Sequence, residues 1–249
     1  MAKGDGDLAE QLTLAEQLIL LAIDPRTGRL HERPPDALGV AVAGAILSDL
    51  LEDGTLSLID NKVAAQRPAQ ETLSAALLKE IELLPPQTLR FWVSALTTKA
   101  FRAKEYTIAT LIQRGALAIE TGRRFGLRDV ARYKVLNDAL RERAVARLQA
   151  AVSSPGGLDS SSISLVTLAA SCGLINRFVP RSLRSGMKKR LHAITEGAQG
   201  LRGALEDQAI PVGYAIAIEV YAATIDVGQF GGDGGGGHGA GHMGGHGGP

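Results

Sequence analysis

Apolar positions recur along much of the chain at intervals of three and four residues, a spacing that predicts helices. The first is built on six consecutive apolar residues, Leu18–Ile23, which end abruptly at Asp24-Pro25. Thr13 and Glu16 stand just ahead in capping-box spacing, so this helix starts at Thr13 and ends near Ile23. Asp24–Gly28 has turn chemistry, and residues 28–36 form a loop or short extended piece. A second helix is predicted over 37–52. Its small residues between Gly39 and Ala45 let a neighbouring helix come close. Residues 52–60 then read as turn and strand.

Leu73, Leu77, Ile81 and Leu84 line one face of a third helix, ended by Pro85-Pro86. Leu89, Trp92, Val93 and Leu96 line the next. Residues 101–120 read as helix, glycine break and strand, with a β-hairpin over 115–130. A basic helix follows at 137–152, a nearly all-apolar and central one at 163–179, a basic helical region at 181–194 and a last apolar helix at 211–225. Residues 45–59 and 107–120 share a pattern of helix, glycine and short alternating strand. That pattern suits a weak internal duplication, and it also suits a winged-helix domain.

These elements predict a mostly α protein. It is a single helical domain, residues 12–229, around a buried apolar helix bundle with short β-hairpins. Residues 1–11 are expected to be a flexible N-terminus. The Gly/His-rich stretch 230–249 cannot bury enough surface to fold and is expected to be a disordered tail. His238, His242 and His246 recur in it every four residues, a pattern that suits weak metal capture at most.

Composition narrows the function. Aromatic residues make up 4% of the chain, so the core must be built from Leu, Ile, Val and Ala. The one cysteine, Cys172, excludes an internal disulfide, and its apolar setting predicts a buried, inert thiol. No signal peptide is apparent. No apolar run reaches the ~20 residues that cross a bilayer, so Leu18–Ile23 belongs inside the protein. The net charge of +1 hides a polarity. Residues 123–190 hold 14 basic and 4 acidic side chains, a local +10, against −9 for the remainder. Such a chain presents a positive face to an anionic partner. No nucleophile elbow, phosphate loop or zinc-protease motif is present, and His31 and His192 read as surface residues. No enzyme activity, cofactor or resident metal is expected.

Three stretches together resemble the Golgi phosphoprotein 3 family. They are LTLAEQLILLAI with its following turn, GAILSDLLEDGTLSL, and ETLSAALLKEIELLPPQTLRFWVSAL with its double proline, Thr and Trp. LIQRGAL and ISLVTLAASCGLINRFV follow in the same order, so the resemblance runs from Leu12 to Ile225. It implies a cytoplasmic, peripherally membrane-associated adaptor that binds phosphatidylinositol 4-phosphate and the cytoplasmic tails of membrane proteins. It further implies a basic headgroup pocket and an apolar hairpin that dips into the bilayer.

The family pocket uses a Trp and three Arg. Counted without gaps from Gly44 and Gly115, these positions fall on Pro34, Ala43, Phe101 and Lys104. Lys104 keeps the charge, and Arg33 and Arg102 stand beside two of the others. Lys104, Arg102 and Arg33 are therefore the expected headgroup residues. Arg123, Arg124, Phe125, Leu127 and Arg128 are the expected membrane-contacting hairpin, in which arginines flank apolar wedges. The competing expectation is a nucleic-acid binder with the same arginines on phosphates, although no polar recognition helix is evident. The small-residue run also leaves room for a homo-oligomer.

Overall fold

The computed structural model describes residues 12–33, 35–60, 62–69, 71–98, 100–121, 131–153, 159–187, 189 and 220. Helix α1 (Leu14–Ala22) starts at the expected capping box. The Thr13 hydroxyl accepts the Glu16 N–H, and the Glu16 carboxylate accepts the Thr13 N–H. All nine residues of α1 are buried, and Leu18–Ile23 has no solvent exposure at all. The opening apolar block is thus the interior of a bundle.

Helix α2 (Ala37–Glu52) packs along α1, and its small residues Ala41, Ala43, Gly44 and Ala45 are all buried. Glycine 54 then turns the chain at a φ of +75° into β1 (Leu56–Ile59), which pairs antiparallel with β2 (Lys62–Ala65). Helices α3 (Thr72–Leu83) and α4 (Leu89–Thr97) follow on either side of the double proline, with Leu73, Leu77, Ile81, Leu89, Trp92, Val93 and Leu96 buried; the expected face ends before Leu84, which caps α3 and is exposed. Helix α5 (Ala103–Gln113) leads through Gly115, at φ +70°, into β3 (Leu117–Thr121). The repeated helix–glycine–strand pattern is therefore a repeated structure.

Strand β3 pairs antiparallel with β4 (Ala131–Val135), from Leu117 opposite Val135 to Thr121 opposite Ala131. The hairpin thus reaches beyond the expected 115–130. Its second strand follows the Gly- and Arg-rich segment instead of lying inside it. Helices α6 (Asp138–Ser153) and α7 (Ser160–Ser171) close the bundle against α1 and α2. The apolar run 163–179 does not form one helix. Gly173 takes φ +74° and separates α7 from the short α8 (Ile175–Phe178). A left-handed residue ends the α-helical hydrogen-bond ladder. A further helical stretch covers 181–187.

A buried hydrogen bond ties α2 to α7, with the Ser48 hydroxyl donating to Ser164 at 3.2 Å. Cys172 is fully buried, and burial pushes its thiol up to about 12, so it is neutral. Among the described residues, no helix is long and apolar enough to cross a membrane. The hairpin tip 122–130, the tail 230–249 and most of the expected last helix lie outside the described residues. Val220 of that helix is helical and buried.

Candidate functional site

The connection from α1 to α2, residues 24–33, gathers several elements at one end of the bundle. It begins as a turn in which the Asp24 carboxylate accepts the Arg26 and Thr27 N–H groups. These bonds, led by the one from Thr27, hold the Asp24 pKa low. Gly28, at φ +67°, lies directly against β4. Its carbonyl accepts the Tyr133 N–H at 2.7 Å, and a Cβ there would stand 3.0 Å from the Tyr133 carbonyl oxygen. The hairpin stem is therefore docked on this connection.

Three residues on, the His31 N–H donates to the Ala22 carbonyl at 2.8 Å. Burial lowers the His31 pKa, and the nearby Arg177 and Arg33 charges lower it further. Glu32 has two roles. Its Oε2 accepts the Leu38 N–H at 3.2 Å, capping α2 where Asp36, at φ 65°, makes no side-chain cap. Its Oε1 lies 3.6 Å from Lys104 Nζ. The Arg33 N–H donates to the Cys172 carbonyl at 3.2 Å, and a Cβ on Gly173 would sit 3.0 Å from the Arg33 carbonyl oxygen. The turn after α7 thus seats the Arg33 backbone.

Of the expected headgroup residues, Lys104 and Arg33 are brought together through Glu32. Arg102 lies two residues before Lys104, exposed, at the left-handed N-cap of α5 with φ 48°. Lys104 is not a free cation, because an anion there must compete with Glu32. The hairpin residues Arg123, Arg124, Phe125, Leu127 and Arg128 lie outside the described residues, and the structure gives only their stem.

Part of the basic excess of 123–190 is engaged internally. Arg147 donates to Gln17 and Ser161. Arg177 donates to the Ala22 carbonyl and pairs with Asp24 at 3.3 Å. Arg184 donates to the Asn176 and Val179 carbonyls. These arginines tie elements of the bundle to one another, so regional charge alone overstates the outward positive face.

Sequence reasoning missed two features. Glu32 stands six residues ahead of Leu38, which is not a familiar cap signal. Arg177 had passed as part of an apolar helix, although a lone arginine in an apolar run is itself a signal for a buried partner.

No curated protein matches the chain. A family model described as Golgi phosphoprotein 3 (GPP34) matches residues 14–210, a span that takes in the bundle, the 24–33 connection and the hairpin stem. With most of the chain matched and the helical fold in agreement, this protein belongs to the Golgi phosphoprotein 3 family.

Proposed function

We propose that the protein is a peripheral membrane adaptor that binds anionic lipid headgroups, with phosphatidylinositol 4-phosphate as the preferred one. Arg33, Arg102 and Lys104 grip the headgroup, and the hairpin carrying Arg123, Arg124, Phe125, Leu127 and Arg128 rests in the interface. One observation carries the reading. The 24–33 connection touches the hairpin stem at Gly28, Lys104 at Glu32 and the post-α7 turn at Arg33. This contact of one connection with both Lys104 and the hairpin stem supports reading the grip and the hairpin as parts of one surface. Family membership supports the same reading. Arginine supplies a planar fork for a phosphate monoester, and lysine adds a compact point charge.

The test is sedimentation with phosphatidylcholine vesicles, alone and with anionic lipid or phosphatidylinositol 4-phosphate, beside a gel shift on duplex DNA at matched salt. Each cation near an anionic leaflet contributes about 1 kcal/mol. Reversing Arg123, Arg124 and Arg128 to Glu is expected to weaken vesicle binding at least ~100-fold with helicity unchanged. Undiminished binding removes the hairpin from the mechanism. A DNA shift without vesicle binding replaces the lipid reading with the nucleic-acid one.

A second variant probes the grip. Glu32→Gln keeps an oxygen for the Leu38 N–H but frees Lys104 and removes a repelling charge. It is expected to tighten binding to anionic vesicles by several-fold, read by the same sedimentation. Equal or weaker binding places Lys104 outside the grip.

A further inference from the structure

A second feature lies at the opposite end of α2. A cavity of 630 Å³ opens between α1, the last turns of α2, the segment leading into α3, and α5. That volume falls within the range typical of small-ligand pockets, roughly 300–1,000 Å³. Asp49 lines it, about 16 Å along α2 from Leu38 at ~1.5 Å per residue. Asp49 is therefore remote from the Glu32-capped end of α2.

The chemistry of its wall is one-sided. Glu16, Asp49, Asp53 and Glu71 line it, against the single exposed cation Arg67. Glu16 is already matched by Arg114. Asp49 is half-buried, and among the described residues its one hydrogen bond is the Leu14 N–H, which reaches Oδ2 at 2.9 Å. No cation among those residues lies within ion-pair distance of it.

Three hydroxyls in the wall have placed their protons elsewhere. Thr107 donates to the Ala103 carbonyl, Thr110 to the Tyr106 carbonyl and Ser74 to Glu71. What they offer the cavity is lone pairs. Among the described wall residues, Arg67 and the Thr13, Thr55 and Tyr106 hydroxyls can donate, while the four carboxylates only accept. Ala15, Ile46, Leu50 and Leu73 supply an apolar side. The last turn of α2 also carries Asp49 and Glu52 and no basic residue, with Asp53 as its cap. Carboxylates at the negative pole of a helix are unfavourable unless a cation joins them.

We propose that this cavity binds a small aliphatic amine, with its ammonium on the Asp49 carboxylate and its methylene stem against Ile46 and Leu50. A donor-rich cation on an apolar stem complements an acceptor-rich wall with an apolar side. The groups around Asp49 set the pH behaviour. They are Glu16 on α1, Arg114 after α5, Glu52 and Asp53 on α2 and its cap, and Arg147 on α6. Burial first, then Glu52 and Asp53, push the Asp49 carboxyl up to about 7, against the Leu14 N–H and Arg147. The amine binds the ionised carboxylate, so affinity rises as pH passes upward through that value.

The test is equilibrium dialysis of the full chain with radiolabelled 1,4-diaminobutane. Its amines stay charged between pH 6 and pH 8, since alkyl ammonium groups titrate near ~10.4. Saturable binding is expected, about tenfold tighter at pH 8 than at pH 6. Asp49→Asn keeps an oxygen for the Leu14 N–H and is expected to weaken binding at least tenfold. Ile46→Trp fills the cavity and is expected to abolish binding with Asp49 intact, both variants being checked for helicity. Absence of binding, equal binding by Asp49→Asn, or equal competition by uncharged 1,4-butanediol overturns the proposal. Binding of an N-acetyl-lysine amide without the diamine overturns the free-amine assignment.

Discussion

Arg114→Met is expected to lower the unfolding free energy by about 3 kcal/mol in urea titrations at neutral pH. Arg114 Nη1 stands 2.6 and 2.7 Å from the two carboxylate oxygens of Glu16, whose side chain is 3% exposed. Methionine fills much of the same space but leaves that carboxylate in the interior with, among the described residues, the Thr13 N–H alone. Removing one partner of a buried pair costs about 3–5 kcal/mol. The lower end applies here, because the Arg114 side chain keeps 28% exposure and water reaches the pair. The double variant Glu16→Gln/Arg114→Met removes the stranded charge and is expected to recover about 1 kcal/mol or more of the loss. A single variant within about 0.5 kcal/mol of the parent would show that the pair is dispensable to the bundle.

Gly173→Ala is expected to cost about 3 kcal/mol, and Gly115→Ala about 1 kcal/mol. Both glycines have positive φ, +74° and +70°. A side chain in that region costs about 1–2 kcal/mol at either position. The surroundings differ. A Cβ at Gly115 meets nothing within 4 Å, while one at Gly173 meets the Arg33 carbonyl oxygen at 3.0 Å and the Arg33 Cβ at 3.2 Å. The backbone of the 31–33 segment must then move, which adds an overpacking cost of about 1–3 kcal/mol. Under the lipid-binding reading, Gly173→Ala also weakens vesicle binding, whereas Gly115→Ala does not. Equal destabilisation by the two substitutions would mean that the 31–33 segment yields freely.

Much of the bundle was legible because local signals agreed with one another. Thr13 with Glu16, the double proline after Leu84, and the helical spacing of Leu89, Trp92, Val93 and Leu96 each describe a few adjacent turns. Periodicity records which face is apolar but not what the few polar groups on that face will meet. Glu16 was recognisable as a cap, yet its partner Arg114 lies 98 residues away. Glu32 joins Leu38 and Lys104 for the same reason, across the fold rather than along it. The run 163–179 misled because apolar residues continue through Gly173, and only the packing against Arg33 reveals why glycine stands there. The proposed headgroup residues were nameable only through family resemblance, since lone cations in loops carry no spacing of their own.

The hydroxyl pair of Ser48 and Ser164 limits how this bundle can move. Sliding α2 past α7 would break this hydrogen bond inside a dry interior, at a cost of about 1–3 kcal/mol. That cost favours a single alignment of the two helices. Events at one end of α2 must therefore reach the other by displacing a stiff rod, not by shifting its register.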